Sequence, residues 1–230
     1  MSPAPFHSGA AFPGNLAATM FPPLDPAVQG ILEQYHQRME AERPRMRSAM
    51  EAGTFGEIID EMLLPVGPAS GQLINILAKS LKAPRILELG TSYGYSGIWL
   101  AEAARASGGR LVTMELSEKK SAYAREMSKK AGLDAFVDFQ VGDAVKGIGE
   151  LQHGIDFVLV DLWKGLYVPC LDAFYPKLTP GAIIVSDNML EPVSDREAVL
   201  RYRDAVRAKA KMTSILVPVG SGLEISRYDA

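Results

Sequence analysis

The chain has 230 residues, 47% hydrophobic and 22% charged, with a formal net charge of -3; it can bury the core of one large domain and has no general attraction to nucleic acid or anionic membrane. Its one cysteine, Cys170, excludes an intrachain disulfide and points to the cytoplasm. No uninterrupted apolar run approaches the roughly 18 residues that cross a bilayer.

Residues 1–25 read as a loose arm: they are rich in Pro, Ala and Gly and lack the basic start and apolar run of a signal peptide. A single domain is expected over 26–230, with helices over 26–82 and the core over 83–230. Asp25-Pro26 is a cap and first-turn pair, after which Val28, Ile31, Leu32, Tyr35 and Met39 repeat at helical spacing until Pro44 interrupts. Arg43, Arg45 and Arg47 make a short basic run, read as a solvated helix face. A second, short helix is expected over Thr54 to Met62, and a third from Pro68 to Lys82 with Leu73, Leu77 and Leu81 on one stripe. These helices are candidates to cover a sheet edge, a site or a dimer partner.

From residue 85 strand and helix alternate five times. "RILEL" precedes a helix from about Ser96, "LVTME" one over Ser117 to Gly132, "FVDFQV" a short one, "DFVLV" another, and "AIIVS" one over Val193 to Ala210. Short apolar strands separated by helices indicate a parallel sheet covered on both faces. "TSILV" and "LEISR" are separated only by "PVGSG", too short for a crossover helix, so these two pair antiparallel.

In such a sheet ligands bind at the carboxyl ends of the strands. The first end carries "ELGTSYGYSG", where Gly90 and Gly94 allow a tight turn and close backbone approach to a ligand, although the spacing is not that of dinucleotide binders. The second ends on Glu115, able to accept from a ribose diol, and the third leads to Asp143. Each acid also reads as a cap or a helix N-terminal charge; together they favour an adenosine-bearing cofactor. The fourth strand ends on Asp161 and the fifth on Asp187-Asn188. Adjacent parallel strands would bring these oxygens together, which suits a hard divalent ion such as Mg2+, with Mn2+ or Ca2+ as alternatives, and not zinc. A capping pair is the other reading of Asp187-Asn188. Lys164, just past Asp161, is either a solvated surface residue or a base.

"ILELGTSYGYSGIWLA" resembles motif I of the class I S-adenosylmethionine-dependent methyltransferases, in particular the family holding catechol and caffeoyl-CoA O-methyltransferases. Gly-Tyr-Ser at 94–96 and Asp-Asn at 187–188 tie it to that family, and Asp161-Leu162-Trp163-Lys164 is closer to its catechol branch. The resemblance implies a Rossmann-like, seven-stranded, mostly parallel α/β sheet ending in an antiparallel hairpin. It implies that Val66, Glu88, Gly90, Thr91, Ser96, Glu115 and Asp161 contact S-adenosylmethionine, Glu115 through the ribose, with Asp143 and Ala144 along the adenine and Trp163 as an aromatic wall. Asp161, Asp187 and Asn188 become metal ligands, and Asn188 also meets the substrate.

The same resemblance makes Lys164 the general base and Glu224, in "GSGLEIS", the carboxylate that holds the unmethylated hydroxyl; an edge-strand acid facing water is its plain alternative. Pro192 and Met62 become apolar walls around the ring. The expected reaction is methyl transfer to a small catechol-like phenol by a homodimer, with a CoA ester, a hydroxylated tRNA base or a non-catalytic cofactor-binding module as alternatives. Leu162 departs from the family's histidine, and Met62 from its tryptophan.

Overall fold

The computed structural model describes residues 24–230. Residues 1–23, most of the segment read as an arm, lie outside it. Helix α1 (Pro26–Ala52) starts where Asp25 Oδ1 accepts from Ala27 N at 2.9 Å, with Pro26 in the first turn, where a missing N–H leaves no bond unmade. It does not stop at Pro44 as expected. Tertiary contacts carry it through: Glu42 accepts from Leu63 N at 2.8 Å, Arg45 pairs with Glu61 at 2.6 Å, and Ala49 is buried. The helix ends at Gly53, whose φ of +71° is a left-handed cap.

The short α2 (Phe55–Ile58) and the 3-10 turn Ile59–Glu61 occupy the segment expected as a second helix. Helix α3 (Pro68–Lys79) is three residues shorter than expected. Its fully buried face is Gly71, Ile74, Asn75 and Ala78, while the Leu73, Leu77, Leu81 stripe is only half-buried. The reason is close helix packing: a β-carbon at Gly71 would overlap the Trp99 indole, and Asn75 Nδ2 donates to Trp99 O at 2.8 Å and to Glu102 at 2.6 Å.

The core then alternates β1 (Arg85–Leu89), α4 (Tyr95–Ser107), β2 (Arg110–Glu115), α5 (Glu118–Lys130), β3 (Val137–Val141), α6 (Ala144–Glu150), β4 (Ile155–Val160), α7 (Tyr167–Phe174), β5 (Leu178–Ser186), α8 (Arg196–Ala208), β6 (Met212–Val217) and β7 (Leu223–Tyr228). The seven-stranded sheet has the order β3-β2-β1-β4-β5-β7-β6. The first five strands are parallel, and β7 runs antiparallel to both β5 and β6. The strand order reverses between β1 and β4, where a crevice for a ligand forms in this class of sheet.

Strand alternation splits the interior in two. Ile86, Leu111, Phe157 and Leu159 pack under α1, α3, α4 and α5. Leu87, Leu89, Val158 and Val160 pack under α6, α7 and α8. Each buried aliphatic side chain contributes about 1.5–3 kcal/mol relative to exposure, so a sheet covered on both faces holds its strand ends in fixed register. Among the described residues no helix is long and apolar enough to cross a membrane.

Candidate active site

Sheet register brings three strand ends side by side. Asp161 N donates to Leu89 O at 2.9 Å and Asp187 N to Val160 O at 3.0 Å, so Gly90, Asp161 and Asp187 follow one another across β1, β4 and β5. The two glycines of the first loop also meet the protein itself at close range. Gly90 (φ +99°) has no room for a β-carbon because the Asp161 carbonyl fills that space, and at Gly94 (φ +92°) a β-carbon would lie 2.7 Å from Ala124 Cβ on α5. Both glycines let the loop approach the protein's own backbone and helix, which clamps it over the sheet.

The N-terminal helices hold the same loop from above. Tyr35 on α1 donates to Tyr93 O at 2.6 Å, Tyr93 donates to Asp60 O at 2.9 Å, and the Arg38 guanidinium lies 4.1 Å from the Tyr93 ring centroid. Beneath the loop Glu88 is fully buried. Its Oε2 accepts from Thr113 Oγ1 at 2.6 Å, and its Oε1 has no partner among the described residues. Burial pushes its carboxyl up to about 7, against the opposing hydroxyls of Ser96 and Thr113. Thr91 and Thr113 share a hydroxyl–hydroxyl bond of 2.5 Å.

Glu115 uses both oxygens on the loops beside it, accepting from Ser92 N at 2.8 Å and Ser117 N at 2.9 Å. Each oxygen keeps a lone pair for a ligand hydroxyl. Asp143 takes the capping role, accepting from Lys146 N at 2.8 Å at the start of α6, where Ala144 is the first residue. Leu116, 75% exposed directly after Glu115, is an apolar surface that sequence reasoning missed. A lone leucine after an acid has no periodic signal; only its place at the strand end gives it meaning. Trp163, 65% exposed, stands past the end of β4, the second neighbour of β2 in the sheet.

Past β4 and β5 the acids and Lys164 meet. Burial raises the Asp161 and Asp187 carboxyls, and their mutual repulsion adds to it at Asp187, which is pushed up to about 8. Asp187 Oδ1 is buried with no partner among the described residues. Asn188 takes a left-handed φ of +56°, which turns the chain at the strand end. Its Oδ1 accepts from Lys164 Nζ at 3.0 Å, and Lys164 Nζ also donates to Tyr167 Oη at 2.6 Å. Burial holds the Lys164 ammonium below its ordinary range, against the pull of Asp161 and Asp187.

Among the described residues no three His, Cys, Asp or Glu side chains cluster as a metal group. The donor set here is two carboxylates and one amide. An orphaned carboxylate oxygen beside a second acid, with only hard oxygens available, fits a divalent ion such as Mg2+.

Val66 is buried in the packing of the N-terminal helices and Met62 is buried after the Ile59–Glu61 turn, while Pro192 is exposed beyond Asn188 on a shallow cleft with Met189, Leu190, Val193, Arg196 and Leu200. Glu224 does not serve the cleft, nor does it face water. It is buried on β7, which is an inner strand between β5 and β6, and its carboxylate meets Arg203 at 3.2 Å, Arg207 at 3.1 Å and the Ser214 hydroxyl. Two guanidiniums from α8 supply its counter-charge, with Oε1 accepting from Arg207 and Ser214 while Oε2, beside Arg203, makes no hydrogen bond among the described residues; the carboxylate is turned to α8, so the reading that gave it a substrate hydroxyl is corrected.

Known proteins resemble the chain in sequence and in fold. The sequence model of the O-methyltransferase family matches residues 38–228. Catechol O-methyltransferase of Niastella koreensis is 34% identical over 55% of this chain, and the alignment spans 59% of that protein. Catechol O-methyltransferase of Mycobacterium tuberculosis is 31% identical over 73% of this chain and 74% of its own length. In three dimensions an O-methyltransferase from Bacillus cereus, solved in complex with SAH, superposes with a TM-score of 0.72 at 24% identity, covering 94% of this chain and 96% of that one.

Proposed function

The chain belongs to the O-methyltransferase family, and on that premise we propose that it moves a methyl group from S-adenosylmethionine to one hydroxyl of a catechol-like phenol. The observation that carries this reading is the contact of Lys164 Nζ with Asn188 Oδ1 at 3.0 Å, beside the buried, unpartnered Asp187 Oδ1. A base and a hard-oxygen cation site adjoin each other, which is what transfer to one oxygen of a vicinal diol requires.

Glu88, Glu115, Leu116 and Trp163 would hold S-adenosylmethionine along the ends of β1, β2 and β4. Bound there, it supplies an electrophilic methyl whose C–S electron pair returns to sulfur as the O–CH3 bond forms. Asp161, Asp187 and Asn188 would hold the divalent ion. When bound, it supplies a positive charge that lowers the pKa of the phenol hydroxyl and fixes its direction.

The protein's own work is alignment and deprotonation. Lys164 Nζ takes the phenolic proton, and its burial lowers the amine's pKa, which favours the neutral form that can do so. Met189, Leu190 and Val193 offer an apolar wall to the ring. The acceptors that need a basic flank, a CoA ester or a tRNA base, have less support: Arg43 pairs with Glu40 at 2.7 Å and Arg45 with Glu61 at 2.6 Å. We also propose a homodimer, supported by the exposed Met50 and Ile76 on the N-terminal helices, with sedimentation at twice the monomer mass as its check. The single buried cysteine suits a reducing compartment such as the cytoplasm.

The deciding assay is methylation of a panel of catechols with and without a chelator, with products read by mass spectrometry. Lys164→Ala is expected to lower kcat by roughly 100- to 10,000-fold while S-adenosylmethionine binding by calorimetry is retained. Full turnover in the chelated enzyme, or in Lys164→Ala, would remove the metal or the base from this reading.

A further inference from the structure

Two acceptors hold the Lys164 amine, and one of them, Tyr167, has no role in the reaction described so far. Lys164 Nζ donates to Tyr167 Oη at 2.6 Å and to Asn188 Oδ1 at 3.0 Å. Tyr167 donates its own proton to the Asp187 carbonyl at 3.1 Å, so what its oxygen presents to Lys164 is a lone pair. The ring is fully buried and cannot swing aside. It meets Tyr202 edge-on at 5.1 Å between centroids, and the Tyr202 hydroxyl shares a 2.6 Å bond with Ser186 on β5.

The local chain geometry favours the pairing. Lys164–Leu166 is a 3-10 turn leading into α7, and residues three apart on such a turn eclipse. Lys164 therefore lies over residue 167, with Nζ 4.4 Å from the Tyr167 ring centroid. Position 167 is the only one of the turn that puts a hydroxyl under the amine from the buried side.

A neutral amine carries two N–H bonds and one lone pair. With both N–H bonds engaged by Tyr167 and Asn188, one tetrahedral direction is left for the lone pair. We propose that Tyr167 is a positioning residue for the methyl transfer: with Asn188 it fixes rotation about the Lys164 Cε–Nζ bond so that this lone pair faces the acceptor hydroxyl. The phenolic proton moves onto that lone pair, the ammonium keeps its other two hydrogen bonds unchanged, and the proton later leaves to solvent from the same direction. No reorganisation of the amine accompanies the transfer, which is the advantage of a preorganised site. This inference rests on the assignment of Lys164 as the base.

The experiment is a cycle of Tyr167→Phe, Lys164→Ala and the double variant in the full chain, with kcat, acceptor KM, S-adenosylmethionine affinity and unfolding midpoint measured for each. Tyr167→Phe removes one oxygen and keeps the ring. Its kcat is expected to fall roughly 10- to 100-fold through loss of alignment, with acceptor KM and cofactor affinity held within about twofold. In the Lys164→Ala background the same change is expected to have no further effect on kcat, because the hydroxyl acts through the amine.

Wild-type kcat in Tyr167→Phe beside an inactive Lys164→Ala would overturn the positioning role alone, as would reductions that multiply in the double variant. Wild-type kcat in Lys164→Ala would overturn the base assignment, and the role of Tyr167 with it. Should the Phe variant not fold, Tyr167→4-aminophenylalanine keeps the ring and the donor to Asp187 while accepting poorly, and the same loss of kcat is expected; unchanged kcat there overturns the proposal.

Discussion

Gly222 sits so close to Leu190 that a β-carbon at 222 would lie 2.6 Å from Leu190 Cγ. The contact joins the β6–β7 turn to the segment that follows Asn188, and backbone bonds reinforce it: Met189 N donates to Gly222 O at 3.0 Å and Leu190 N to Ser221 O at 2.8 Å. Gly222 also has φ +87°, where an L side chain is strained.

Gly222→Ala is therefore expected to cost about 1–3 kcal/mol of stability from backbone strain alone. The displaced Leu190 should also raise the acceptor KM, since this residue lies on the cleft wall. Urea titration and steady-state kinetics read the two effects separately. An unchanged KM for every phenol that is turned over would show that the turn does not shape the acceptor wall.

Glu224 offers a sharper test, because its two readings predict opposite outcomes. As a buried carboxylate between Arg203 and Arg207, its loss as Glu224→Gln leaves two guanidiniums without their counter-charge. Breaking a buried pair costs about 3–5 kcal/mol; Arg207 is 49% exposed and can turn to water, so about 2–3 kcal/mol is the expectation here. Denaturant unfolding measures it. If Glu224 held a substrate hydroxyl instead, stability would stay near wild type and kcat/KM would collapse.

The architecture was legible because short apolar strands alternate with amphipathic helices, and the five-residue "PVGSG" linker permits only an antiparallel return. Asp161, Lys164 and Asp187 were legible for a related reason: polar residues that interrupt an apolar run at a strand end have few structural uses. Glu224 was misread because nothing local in "LEISR" tells whether β7 lies at the sheet edge or inserts between β5 and β6. The close packing of Gly90 on the Asp161 carbonyl gave no signal because the two are far apart in sequence. Pro44 looked like a stop because the bonds that carry α1 past it come from Leu63 and Glu61. Tyr167 gave no signal, since an aromatic at the start of a buried helix is ordinary core and its bonds to Lys164 and Asp187 exist only once β4 and β5 are in register.

Glu88 gives the fold a pH signature. Burial raises its carboxyl from the ordinary 4.5 to about 7. Between those values the folded protein keeps a proton that the unfolded chain has released, so stability is full below pH 4.5 and is lost as pH rises through about 7. The loss is of the order of 3 kcal/mol for a shift of this size. Glu88→Gln should flatten that part of the stability profile, measured as the denaturant midpoint at intervals from pH 5 to pH 8. An identical slope in the variant would mean that Glu88 is not the titrating group.

Asp187 separates cation binding from catalysis. Without a cation its carboxyl is held up to about 8 by burial and by Asp161, so at neutral pH it is mostly protonated and an amide is a near-isostere. Asp187→Asn should then be about as stable as wild type in the presence of chelator. If Asp161, Asp187 and Asn188 hold a cation in the folded state alone, Mg2+ at a hundredfold excess over its Kd should stabilise the wild type by about 2.7 kcal/mol, or about 5–10 °C in Tm for a domain of this size. The variant, with one ligand oxygen replaced by an amide that carries no charge, should gain little. Thermal unfolding in Mg2+ and in chelator, without substrate or turnover, decides it: an equal rise in both proteins would place the ion elsewhere, and no rise in either would remove the cation from the Asp161, Asp187 and Asn188 set.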